Sequence, residues 1–252
     1  MPGQIKTSAE IEAIHEGGKH LRDILLRTAR LAKPGVSTKD LSDYADSEIR
    51  KVGGVPSFIG YGERDNPFPA ALCTSINDIV VHGIPSAKEI LKSGDIIGLD
   101  IGMIYKKYFT DTAITVPVGS VPPEVQNLID TTKRCLELGI QQAVVGNRTG
   151  DIGHAVQKYA ESNGFSVVRD LVGHGVGYAI HEDPQVPNYG KAGTGAKLVE
   201  NMVIAIEPML CVGAYHIFFD DDGWTIRTED GSLSAHFEHT IAITKKGPRV
   251  LT

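Results

Sequence analysis

Residues 94–113 read GDIIGLDIGMIYKKYFTDTA, two β-rich runs joined through a short polar break. Side chains of a strand alternate between faces, so Asp100 points away from the apolar face that carries Leu99 and Ile101. A hairpin turning at Tyr105-Lys106 is predicted to set Asp100 directly opposite Asp111. The strand then recurs. Residues 201–207, NMVIAIE, superpose on it at an offset of 107, with Gly94, Ile97, Leu99 and Asp100 facing Asn201, Ile204, Ile206 and Glu207. An acid stands at the same place in both copies.

The repeat extends outward into helices. Thr7 and Glu10 form a capping box before Ile11, Ile14, Leu21 and Leu25, and Pro34-Gly35 ends that helix. A second helix starts near Thr38, carries Leu41, Ala45 and Ile49, and stops at Gly53-Gly54. The pair returns after Pro122-Pro123, first with Val125, Ile129, Leu136 and Ile140, then from Thr149 to Gly164. Gly35, Thr38, Asp40, Leu41 and Gly53 match Gly146, Thr149, Asp151, Ile152 and Gly164 at one offset, 111. The expected architecture is α+β, with two pseudo-symmetric halves, about 1–118 and 119–252, packed as one domain.

Composition narrows the function. The 252 residues are 41% hydrophobic and 22% charged, which suits a globular chain with a substantial core. No apolar run resembles a signal peptide or a membrane span. Cys73, Cys135 and Cys211 are too few and scattered for a disulfide framework, so a reducing cytoplasm is expected. A net charge of −6 argues against nucleic acid as the main ligand.

Glu238, in FEHT, is expected to return opposite Glu207 across a longer hairpin, so that four carboxylates converge on apolar strands. Buried carboxylates need protons, cationic partners or metal ions. Taken singly, Asp111 and Glu238 read as ordinary polar-face residues. His174, in the run GHGVGYAIHEDP (173–184), changes the balance. Four carboxylates and one imidazole suit two divalent ions sharing bridging oxygens. The oxygen-rich set favours manganese, iron(II) or cobalt, with zinc also compatible. GHGVG is not a dinucleotide fingerprint, HEDPQ is not the H-E-x-x-H zinc motif, and neither a G-x-S-x-G elbow nor a P-loop is present.

The order Asp, Asp, His, Glu, Glu in LDIG, FTDTA, GHGVG, IEPM and FEHT resembles the methionine aminopeptidases, whose pita-bread fold is shared with prolidase, aminopeptidase P and creatinase. CTSINDIVVHGIP and GHGVGYAIHEDPQV are closer to the methionine aminopeptidase versions, and the short span from His181 to Glu207 resembles the compact bacterial type I enzymes. The resemblance implies a curved antiparallel sheet flanked by helices, forming one catalytic metallopeptidase domain. It implies that Asp100 holds one metal, that His174 and Glu207 hold the other, and that Asp111 and Glu238 bridge them.

Removal of the N-terminal methionine, preferentially before a small second residue, is the implied reaction. Water activated between the ions attacks the first peptide carbonyl, with Glu207 as proton shuttle. His181 would donate to the forming oxyanion, and His82 would hydrogen-bond the substrate backbone. Metal logic alone demands neither histidine, and both also read as loop residues. Phe58, Tyr61, Cys73, Ile180 and Trp224 match pocket positions, although Trp224 reads equally well as core. Asn77, Ile79 and Ser234 match a monovalent-cation site. His236 stands where a glutamine is common and is assigned a supporting hydrogen bond rather than ligation.

Ile180 and the long segment from Tyr61 to Cys73 depart from the usual pattern, which leaves the shape of the pocket and its rim from Tyr61 to Phe68 open. The implied partners are N-terminal peptides of nascent chains, with the ribosome as a candidate contact. No nucleic acid, membrane or second copy is expected. An Xaa-Pro peptidase of the same fold and a non-catalytic peptide-binding protein are the rival readings. The five ligand positions disfavour the second.

Overall fold

The computed structural model describes residues 3–252. Helix α1 (Ser8–Leu31) begins at the Thr7–Glu10 capping box: Glu10 N donates to Thr7 Oγ1 at 3.3 Å, and Thr7 N donates to Glu10 Oε2 at 2.7 Å. Helices α2 (Thr38–Lys51) and α4 (Thr149–Ser162) start at the offset of 111 and share their length. The matched acids do the same work, since Asp40 accepts from Ser37 N and Asp151 from Arg148 N. Gly35 and Gly146 both lie at left-handed φ, 92° and 99°, which is why a glycine recurs there. Helix α3 (Pro123–Gln142) completes the second pair.

Strands β1 (Val55–Pro56), β2 (Leu72–Ile76), β3 (Ile79–Val81), β4 (Ile96–Tyr105) and β5 (Tyr108–Pro117) precede α3. After α4 come β6 (Ser166–Val167), β7 (Gly173–Gly175), β8 (Glu182–Val186), β9 (Val203–Ile206) and β10 (Met209–Cys211). The chain ends with β11 (Ile217–Phe219), β12 (Ile226–Thr228), β13 (Ser234–His236), β14 (Glu238–Thr244) and β15 (Gly247–Val250). One antiparallel sheet of nine strands runs β1-β4-β5-β14-β9-β7-β8, with β2 on β4 and β15 on β14. Each half buries its own core against its helices. Leu21, Ile24, Leu41 and Ile49 pack with Leu99 and Ile101, and Leu128, Leu136, Ile152 and Val156 pack with Ile204 and Ile206. Alternation then leaves Asp100 on the opposite face of β4 from Leu99 and Ile101.

The β4–β5 hairpin turns one residue later than expected. Tyr105 pairs with Tyr108, and Lys106 and Lys107 form a two-residue turn with φ of 47° and 71°. Both turn residues need positive φ, the geometry for which Asn-Gly is the usual sequence signal, and two lysines carry no such signal. Asp100 therefore faces Ala113, while Asp111 faces Gly102. A register displaced by two keeps every side chain on its face, so both aspartates stay together. Glu238 and Glu207 do lie opposite: the β9–β14 ladder starts at His239↔Ile206, and one further step brings the glutamates together. The pairs Leu99↔Ile114 and Ile206↔His239 are equivalent under the repeat, as are Gly102↔Asp111 and Met209↔His236.

The halves meet at β5–β14, where only Glu238↔Ala113 and His239↔Thr112 pair by backbone. Threonine hydroxyls bridge the rest. Thr115 Oγ1 donates to His236 O and accepts from His236 N, both at 2.9 Å. Thr240 Oγ1 donates to Asp111 O at 2.8 Å and accepts from Asp111 N at 3.1 Å. Thr115→Val should strand two buried backbone groups and cost about 1–3 kcal/mol, with Thr115→Ser near wild type. Urea unfolding at fixed metal concentration checks this; equal midpoints for the two variants would contradict it.

Candidate active site

The acids converge on one face of the nine-stranded sheet. One ligand atom each from Asp111, His174 and Glu238 lie within 4.8 Å of one another, a group able to hold a metal ion. His174 Nε2 is 3.4 Å from Glu207 Oε1 and 4.0 Å from Glu238 Oε1. His174 Nδ1 donates to Gly175 O at 2.9 Å, and because a carbonyl only accepts, that nitrogen carries the ring's proton. The Nε2 lone pair thus faces carboxylate oxygens with nothing to share.

Asp100 Oδ1, Asp111 Oδ1, Glu238 Oε1 and His236 Nε2 are buried without a hydrogen-bond partner among the described residues. Burial pushes Asp100 up to about 7 and lifts Asp111, Glu207 and Glu238 well above the carboxylate range, with neighbouring carboxylates adding to the rise in those three. Burial and nearby His181 together lower His174 to about 3. Unpartnered carboxyl oxygens beside an imidazole lone pair must be neutralised, by protons or by cations placed between them. The donor set fits divalent metal.

The glycines of the histidine motif are packing requirements. A Cβ at Gly173 would come 2.4 Å from Ala205 O, and one at Gly175 would come 2.1 Å from Asp183 O. They let β7 lie tightly between β8 and β9. Gly177 makes room for Lys6, whose Cε would be 2.6 Å from a Cβ there. The Lys6 ammonium is fully buried, 2.5 Å from Glu182 Oε2. Glu182 Oε1 accepts from the backbone N–H groups of Tyr178 (2.5 Å) and Ala179 (2.9 Å). The turn carrying His181 is thereby tied to the N-terminal segment.

Beside the acids lies a cavity lined by Phe58, Tyr61, Phe68, Cys73, His82, His181 and Trp224 together with Asp100, Asp111, His174, Glu207 and Glu238. Its apolar end is an aromatic box, with Phe68 edge-on to Trp224 (centroids 5.3 Å apart) and to Phe58 (6.4 Å). Gly102 is needed behind it, since a Cβ there would sit 2.6 Å from the Phe58 ring. His82 sits at φ 59°, uncommon for a residue with a Cβ. Burial, with His181 nearby, lowers His82 to about 4.

The sequence profile of metallopeptidase family M24 matches residues 12–245. The chain belongs to metallopeptidase family M24. It is 49% identical over 248 residues to a methionine aminopeptidase of Clostridium acetobutylicum, covering 98% of each chain. The crystal structure of methionine aminopeptidase from Thermotoga maritima superposes with a TM-score of 0.96 at 41% identity, over 99% of each chain. An Xaa-Pro dipeptidase from Bacillus anthracis shares the fold at 22% identity and a TM-score of 0.76, covering 98% of this chain and 61% of that one. The curved sheet flanked by helices is thus the pita-bread fold.

This M24 chain brings together every residue assigned above to metal or reacting groups, and four of the five assigned to the pocket. Ile180 is the exception: it is buried in the cluster of Phe58, Phe68 and Cys73 without lining the cavity, so it backs the wall. Phe68 is the pocket residue that sequence reading missed. It ends the rim segment that the sequence left open, an aromatic held between Pro67 and Pro69. His236 Nε2 lies 3.6 Å from Glu207 Oε2, too far for the supporting hydrogen bond expected of it, and has no other partner among the described residues. At the monovalent-cation positions, Asn77 O already accepts from Ser234 N at 2.8 Å, and Ile79 lies in β3 close by. No helix among the described residues is long and apolar enough to cross a membrane.

Proposed function

We propose that this M24 chain removes the N-terminal methionine from peptides and nascent proteins. The observation that carries the reading is the junction of a buried Asp/His/Glu centre with an aromatic box, in a chain nearly half identical to a methionine aminopeptidase. An unbranched thioether suits a box of Phe58, Phe68 and Trp224, because sulfur packs well against aromatic edges.

Asp100, Asp111, His174, Glu207 and Glu238 would hold two divalent ions, with cobalt, manganese or iron(II) preferred and zinc compatible. When bound, such ions supply Lewis acidity and lower the pKa of water. The chain's own groups do the rest. Glu207 carries the proton from water to the departing amine. His181 donates to the oxygen that gains charge. His82, at the cavity wall beside Trp224 (centroids 6.4 Å apart), holds the substrate backbone. Three cysteines, all free thiols, support a cytoplasmic setting.

The test is a matched tripeptide set, Met-X-Ser and Z-Ala-Ser, compared by kcat/KM with manganese and then cobalt. Small X should be favoured over Lys, Leu or Phe. Norleucine should stay near methionine and N-terminal alanine should fall far behind, since each lost methylene contact costs about 1–3 kcal/mol. Preference for Xaa-Pro peptides, or rapid cleavage of many different N-terminal residues, would overturn the reading.

A further inference from the structure

We infer that the Tyr61 hydroxyl sets the tautomer of His181, which makes Tyr61 a positioning residue for the histidine rather than only a wall of the pocket. The inference rests on the role given to His181 under the proposed function. The phenol and His181 Nδ1 are hydrogen-bonded, with the rings steeply inclined at 72° and centroids 5.1 Å apart. Two senses exist for such a bond. An imidazole nitrogen with its lone pair in the ring plane is a strong acceptor, whereas a phenol oxygen, its electrons shared with the ring, is a poor acceptor and a good donor. Tyr61 therefore donates and Nδ1 accepts.

A neutral imidazole carries one proton, so Nδ1 as acceptor places it on Nε2. That is the form an oxyanion donor requires, since the other tautomer would turn a lone pair toward the oxygen gaining charge. His174 provides the contrast. Its ring lies 4.4 Å from that of His181, nearly perpendicular at 86°, and its proton is on Nδ1, held by Gly175 O. Two histidines of one motif thus hold opposite tautomers, each set by a partner outside the pair. A carbonyl prepares one to meet a cation, and a hydroxyl prepares the other to meet an anion.

Tyr61 is held for this task. Its N–H donates to Phe58 O at 3.0 Å, and its carbonyl accepts from Phe68 N at 2.8 Å. The rim is tied across by Trp224 Nε1 donating to Asn66 O (3.0 Å) and Asn66 Nδ2 donating to Asp222 O (2.9 Å).

The experiment pairs ¹⁵N-histidine spectra of the zinc-loaded protein with kinetics of Tyr61→Phe. In the wild type, His181 should show a protonated Nε2 and an unprotonated, hydrogen-bonded Nδ1, and Tyr61→Phe should lose that bias. On a methionine tripeptide, kcat should fall about 10- to 100-fold, the usual effect of removing a group that orients another. KM should stay within about twofold, as expected when only a transition-state interaction is weakened. A wild-type proton on Nδ1 would overturn the inference, whichever reaction the enzyme catalyses. So would a variant altered only in KM. If the wild type released no methionine, the functional reading would fail while the spectrum still decided the tautomer.

Discussion

Replacing His174 with alanine is expected to remove about 10³-fold or more of the peptidase activity, because Lewis-acid stabilisation of several kcal/mol depends on the centre it completes. His174 supplies the neutral nitrogen donor of the Asp111–His174–Glu238 group, and its lone pair is aimed by the Gly175 carbonyl. Without it, buried carboxylates remain with fewer means of holding a cation, and protons can take its place. Metal content measured by atomic spectrometry should fall by about one ion per chain, while circular dichroism stays native because His174 belongs to none of the hydrophobic clusters. Near-normal turnover at saturating manganese, or unchanged metal content, would show that the imidazole is not a ligand.

Lys6→Met should destabilise the protein by about 3–5 kcal/mol, the range for breaking a buried ion pair by removing one partner. The side chains of Lys6 and Glu182 are 0% and 3% exposed, so water cannot take over the carboxylate that is left. Methionine retains most of the packing against Tyr178, over whose ring the ammonium sits at 4.6 Å. Lys6→Met combined with Glu182→Gln should recover much of the loss, since glutamine keeps the acceptor for Tyr178 N and Ala179 N and carries no charge. Urea titration of all three at one metal concentration gives the comparison. A loss below about 1 kcal/mol for the single variant would mean that the pair is solvated, as surface pairs are.

What the sequence disclosed was whatever has a local signature. Helix caps, the recurring Gly35/Gly146 and Asp40/Asp151, and the paired acids of β4 and β9 were legible because propensity and period act over a few residues. The register of the β4–β5 hairpin was not, because Lys106 and Lys107 occupy left-handed positions without the usual turn residues. Nothing in the local sequence marks Lys6 as buried, its partner being 176 residues away. Tyr61 was placed at the pocket only by the family resemblance, and its bond to His181 spans 120 residues from a segment of irregular length. Phe68 was hidden by the same segment. Long-range pairings of side chains leave no periodic trace in the chain that makes them.

The doubled ladder has a consequence for how such a centre can change over descent. Register equivalence makes Ala113 the counterpart of Glu238 and His236 the counterpart of Asp111, so the two copies differ chemically on the rungs beside the axis that relates them. Asp100 and Glu207, directly across from Ala113 and Glu238 on the outer strand of each pair, keep an acid in both. Substitution at 113/238 and 111/236 would therefore shift charge from one copy to the other within the acidic centre. The helix pairs that shape the scaffold need not notice. The repeat fixes the frame twice and leaves the two innermost strands, β5 and β14, free to differ.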